Sequence, residues 1–226
     1  MNLPSDRHRC RLAVFDLDGT LKAVASPYSH VHRALGVEAA AHEIYARYRR
    51  GELTYDQWGQ EEIGLWRGLA LADLRAILGT IPYWPGAVRF VGRLRKAGVA
   101  VAVVSAGFDV HVQTCAAELG ADLAVYNRLG VQDGRLSGAF FTQVDGRNKG
   151  ALVREIQAQF RTTRQETLVA GDTVYDVPMF PEAAVSLAVA TAEPTVAQAA
   201  DLHLSDGNWD RAWNLIADFR PGWLPD

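Results

Sequence analysis

The stretch Phe15-Asp16-Leu17-Asp18-Gly19-Thr20-Leu21 follows an apolar run, Leu12-Ala13-Val14-Phe15. It reads as a buried strand whose carboxyl end releases two aspartates into a Gly-Thr turn. Two carboxylates two residues apart at a strand end repel each other, and partial desolvation raises the cost of both charges. The arrangement is accounted for if a divalent cation sits between them or if one of them is a nucleophile. The competing reading is a solvated turn with Asp and Gly in their usual places.

Three downstream elements weigh against the plain turn. Gly171-Asp172-Thr173-Val174-Tyr175-Asp176 is a second carboxylate pair after an apolar run, Leu168-Val169-Ala170. Val101-Ala102-Val103-Val104-Ser105-Ala106-Gly107 sets a serine at the end of a third run, and Lys149 opens a helical pattern after Arg147-Asn148. The order DxDGT, hhhSxG, Lys, GDxxxD resembles the haloacid dehalogenase superfamily, and within it the phosphoserine phosphatase branch. The match is closest in Ser105-Ala106-Gly107-Phe108-Asp109, in Asn127-Arg128-Leu129 with the turn that follows, and in Pro178-Met179-Phe180.

Strands are expected at 11–16, 99–104, 122–126, 167–170, 185–189 and 202–204. Helices are expected at 86–97, 108–119, 148–160, 174–182, 194–200 and 208–219. Short buried strands alternating with helices predict an α/β fold, a Rossmann-like parallel sheet with helices on both faces. Asp133-Gly134 reads as a hairpin turn and predicts a small antiparallel flap. Residues 22–84 break the alternation and read as wholly helical, with a Thr54–Gln57 capping box. The chain is therefore expected to divide into an α/β core, 1–21 and 85–226, and an inserted helical cap, 22–84, which the resemblance places over the active site.

Composition narrows the function classes. A hydrophobic fraction of 49% with 22% charged residues is that of a soluble globular protein. The net charge of −3 supplies no basic surface for nucleic acid or an anionic membrane. No apolar run approaches the roughly 20 residues of a spanning helix. The polar, basic stretch at 1–11 lacks the apolar segment of a secretion signal. Two cysteines, Cys10 and Cys115, make no disulfide framework and fit a reducing, cytoplasmic compartment; a monomer or homodimer is expected.

In open parallel sheets, ligands bind beyond the carboxyl ends of the strands. The acidic set suits Mg²⁺. The resemblance implies Asp16 and Asp172 as side-chain ligands, Asp18 as a ligand through its carbonyl, and Asp176 in support. It implies Asp16 as nucleophile on a small phosphorylated metabolite and Asp18 as general acid and base. Ser105 and Lys149 would hold phosphoryl oxygens. Gly19, Ala106 and Gly107 would line an anion nest with their N–H groups, beside Thr20. The histidines, His30, His32, His42 and His111, are read as surface or cap residues, and Trp58, Trp66 and Trp84 as cap core. Arg47, Arg49 and Arg50 read as a solvated helix end, with one of them, or Arg67, as the alternative contact for a substrate anion.

Two departures concern specificity. Phosphoserine phosphatases carry a glutamate nine residues after the nucleophile, where this chain has Ala25. They also carry a cap arginine whose count lands here on Glu62, with Arg67 as a candidate substitute. A phosphatase that is not specific for phosphoserine is therefore expected. The alternatives are a phosphotransferase or mutase on the same fold and a non-enzymatic binding module.

Overall fold

The computed structural model describes residues 8–225. The opening stretch read for a secretion segment thus lies largely outside the described residues. The sheet runs in the order β4-β3-β2-β1-β5-β6-β7. β1 (Leu12–Phe15) is its centre and is fully buried, as its unbroken apolar run requires. It pairs in parallel with β2 (Ala100–Phe108) on one side and β5 (Thr167–Gly171) on the other. Beyond these lie β3 (Leu123–Gln132), and β6 (Val185–Val189) with β7 (Leu202–Leu204), all parallel to their inner neighbours. β4 (Arg135–Phe141) returns antiparallel to β3, with Asp133 and Gly134 at positive φ in the turn between them.

The pleat divides β1 between two cores. Ala13 and Phe15 join Phe90 and Leu94 of α5 (Ala87–Lys96), Val112 and Cys115 of α6 (Asp109–Leu119), and Ile216 of α9 (Ala212–Phe219). Leu12 and Val14 face Val153 and Ile156 of α7 (Lys149–Phe160) and Val196 of α8 (Pro194–Ala199). The expected helix at 174–182 is instead a 3₁₀ turn over Val177–Glu182. Pro178 and Pro181 cannot donate to a helical ladder. The helix expected from 208 starts with a separate 3₁₀ turn, Trp209–Arg211.

Between β1 and α5 lie α1 (Pro27–Leu35), α2 (Glu38–Arg49), α3 (Tyr55–Gly64) and α4 (Leu71–Gly79). The Thr54–Gln57 capping box is present at the start of α3. These helices share one apolar cluster with the sheet end and the flap: Ile63, Trp66 and Leu74 pack with Phe108, Leu129, Leu136 and Phe140. Backbone bonds reinforce that seam. Gly68 N–H donates to Leu136 O, Leu136 N–H to Leu69 O, and Leu71 N–H to Gly134 O, at 2.8 to 2.9 Å. Trp84 falls outside the cap core. It packs in the cluster that holds Phe15 and donates its indole N–H to Gly19 O at 2.8 Å.

Candidate active site

Register brings the motifs together. Phe15 lies beside Val103 on one side and Ala170 on the other. Asp16, Ser105 and Asp172 therefore emerge within two residues of one level, at the carboxyl edge where the chain switches from one half of the sheet to the other. Asp16, Asp172 and Asp176 each place a carboxylate oxygen within 4.8 Å of the other two. Lys149, at the first position of α7, donates to Asp16 Oδ1 at 2.7 Å and Asp176 Oδ1 at 2.6 Å. Asp145 fixes that helix start by accepting the N–H groups of Arg147 and Asn148.

Each aspartate is held differently. Asp176 Oδ2 accepts from the Asp172 and Thr173 N–H groups and from the Thr173 hydroxyl, closing the loop that carries Asp172. Asp172 Oδ1 accepts from the Thr20 hydroxyl at 2.8 Å. Asp18 Oδ1 contacts His111 Nε2 at 2.9 Å, while its Oδ2 is buried without a partner. Burial pushes the carboxyls of Asp16 and Asp172 above the usual carboxylate range, and negative neighbours add to the rise, against which Lys149 acts. Burial opposes the Lys149 ammonium, but Asp16 and Asp176 outweigh it and raise its pKa. Burial likewise opposes a charged His111, but its bond to Asp18 lifts it to about 10.

Two buried carboxylates and a half-buried one, Asp172, around one lysine leave negative charge in excess, and an all-oxygen donor set fits a hard divalent cation. Gly19 makes room for it. With φ of +94°, its absent Cβ would fall 1.9 Å from Asp172 Oδ2. The site opens into a chamber of about 540 Å³ whose wall includes Ser105, Ala106 and Gly107 on the core side and Tyr28, Trp58 and Glu62 on the helical side.

Comparison with known proteins agrees with this geometry. The profile of the haloacid dehalogenase-like hydrolases matches residues 13–181. The phosphoserine phosphatase of Methanocaldococcus jannaschii is 31% identical over 193 residues, covering 85% of this chain and 90% of the relative. That of a Polaromonas species is 30% identical over 213 residues, covering 91% and 89%. The chain belongs to the haloacid dehalogenase-like hydrolases. A solved phosphoserine phosphatase, held as an analogue of its phospho-aspartyl intermediate, superposes on this hydrolase with a TM-score of 0.79. It is 27% identical, and the match covers 91% of this chain and 98% of that one. This hydrolase thus lies on the phosphoserine phosphatase-like branch and is a phosphatase.

Several expected site residues of this hydrolase stand elsewhere or do other work. The Gly19 N–H is already donated to Lys22 O at 2.9 Å, so it is not a free nest donor. Thr20 is fully buried, and its hydroxyl is spent on Asp172 rather than on substrate. Ser105 caps no helix. β2 runs on through Phe108, so Ala106 and Gly107 belong to a strand end and not to a helix N-terminus. Gly107 N–H donates to Ser105 Oγ at 2.9 Å. Arg67 is exposed and packs against Gly138 of the flap, away from the chamber.

Arg47 and Arg50 pair with Glu61 and Glu52, whereas exposed Arg49 stands at the chamber wall. His32 is buried within the helical segment, as a cap residue, whereas His111 is buried in α6 of the core, contrary to the surface-or-cap reading. His111 was findable: with Cys115 and Leu119 it lies at spacings of four on the apolar stripe of α6, where a polar residue needs a partner.

Proposed function

We propose that this hydrolase is a Mg²⁺-dependent phosphomonoesterase acting on a small phosphorylated metabolite through an aspartyl-phosphate at Asp16. The observation that carries the reading is the meeting of Asp16, Asp172 and Asp176 around one point, with Lys149 bridging two of them. The solved relative held as a phospho-aspartyl analogue supports the covalent route. Asp16, the Asp18 carbonyl and Asp172 would hold the metal, with Asp176 as a further carboxylate in reach. Bound there, Mg²⁺ offsets the repulsion between carboxylate and phosphate.

Asp16 attacks phosphorus in line. Its oxygen bonds to phosphorus as the ester P–O bond breaks, and Asp18 gives a proton to the leaving alkoxide. Asp18 then takes a proton from the water that attacks the aspartyl-phosphate. Inorganic phosphate leaves and the Asp16 carboxylate is restored. Ser105 Oγ and Lys149 Nζ hold the phosphoryl oxygens, and Lys149 neutralises charge that builds up in the transition state.

Phosphoserine is not the preferred substrate in this reading. Ala25 and Glu62 both line the chamber where the phosphoserine phosphatases, by the residue count, carry a glutamate and an arginine. The two free, buried thiols, Cys10 and Cys115, support a reducing, cytoplasmic setting.

Purified protein is expected to release phosphate from p-nitrophenyl phosphate with Mg²⁺ and to stop when the metal is chelated. Asp16→Asn and Asp172→Asn should abolish turnover with the fold intact by circular dichroism. Undiminished activity in Asp16→Asn would falsify the nucleophile.

A further inference from the structure

The part of the chamber remote from the aspartates has its own chemistry. Trp58 of α3 is ringed by Tyr28, Tyr48 and Tyr55, with ring centroids 5.4, 5.6 and 5.2 Å from its own. One turn further along α3, Glu62 lies on the same wall and is 3% exposed. Its Oε1 accepts from Trp58 Nε1 at 3.0 Å. Its Oε2 is 2.9 Å from His32 Nε2, but off the hydrogen-bonding angle, so both atoms remain buried and unsatisfied.

Neither of the chamber's two permanent cations pairs with Glu62. Lys149 bridges Asp16 and Asp176, and Arg49 is exposed at the chamber wall, on α2 rather than beside Glu62 on α3. One end of the chamber is therefore built for phosphate. The other is an aromatic surface with an unsatisfied carboxylate.

A buried carboxylate without a full complement of partners is costly, and it becomes favourable when a ligand brings the missing charge. Aromatic faces attract organic cations and add to that preference. We infer that the alcohol portion of the substrate is an organic ammonium, so that the ester is a phosphorylated amino alcohol without a carboxylate. A carboxylate on the same alcohol would face Glu62 and be rejected. A neutral polyol would bring no charge to Glu62 beyond what the neighbouring His32 ring supplies. The inference rests on the phosphatase reading of the same site and adds the class of leaving group.

The test compares kcat/KM, with Mg²⁺, for phosphoethanolamine, phosphocholine, phosphoserine, glycerol phosphate and p-nitrophenyl phosphate. The ammonium esters are expected to exceed glycerol phosphate and phosphoserine by about tenfold or more. In Glu62→Gln that ratio should fall toward one, mainly through KM. In the wild-type protein, which needs no variant to fold, choline should compete with p-nitrophenyl phosphate while glycerol does not. Equal turnover of charged and neutral esters, an unchanged ratio in Glu62→Gln, or no competition by choline overturns the inference. If every ester including p-nitrophenyl phosphate is inert, the phosphatase reading itself fails, which is a separate outcome.

Discussion

At Gly19, backbone conformation and chemistry depend on the same missing atom. Its φ of +94° disfavours any side chain, and a methyl group would overlap the Asp172 carboxylate. Gly19→Ala is expected to cut kcat/KM by about 100-fold or more by displacing Asp172, a scale set by ångström-level misplacement of catalytic groups. A fully active Gly19→Ala would show that the turn can relax without moving the carboxylate.

His111 offers a second residue-level prediction. It holds Asp18 Oδ1, while Oδ2 is left without a partner. p-Nitrophenolate leaves without a proton, whereas an alkoxide needs one, so His111→Ala should lose about tenfold more activity on alkyl phosphates than on the nitrophenyl ester. Equal losses on both would reduce His111 to a packing residue. Asp16, Asp18 and Asp172 were legible because each ends an apolar run or opens a glycine turn. The His111 partnership was not, because Asp18 lies 93 positions away and only the folded sheet end brings the two together.

Among the elements, the flap and the helix carrying Lys149 are joined by one amide. Asn127 in β3 is fully buried. Its Nδ2 donates to Ala106 O and Val144 O, and its Oδ1 accepts from the Gln143 and Val144 N–H groups. Asn127→Ala leaves buried carbonyls and N–H groups unpaired and should cost about 2–4 kcal/mol in urea unfolding, the scale of several lost buried bonds. It should also lower activity, because the loop it anchors leads to Lys149. A midpoint unchanged by the substitution would show that water replaces the amide.

Element types followed from periodicity, and the strands fell within a few residues of expectation. The failures came where side chains redirect the backbone. Asp176 captures the N–H groups of residues 172 and 173, and two prolines follow, so no α-helix can begin at 174. The cap arginine sought in the sequence could not be placed by counting. Arg67 projects onto the flap, and only the packing of α2 brings Arg49 to the chamber.

For the molecule as a whole, the first described strand and the carboxyl-terminal segment close on each other. Cys10 N–H donates to Trp223 O, and the Cys10 thiol is buried in the larger core. Burial pushes that thiol from 9.0 up to about 12. The folded form holds its proton more tightly than the unfolded chain does. The resulting stability is complete below the unfolded value near 9 and is lost as pH rises through about 12. Melting temperature should therefore fall across alkaline pH, and fall less steeply in Cys10→Ala. Parallel declines in the two proteins would assign the alkaline loss to other groups.

The three amide links joining residues 68–71 to the β3–β4 turn and strand have a mechanical consequence. Any excursion of the four helices must carry the hairpin ribbon with it or break main-chain bonds. Tyr48, Arg49 and Tyr175 stand on the wall of the chamber, away from that seam. Helices and ribbon thus behave as one mechanical piece, held together along the seam at residues 68–71.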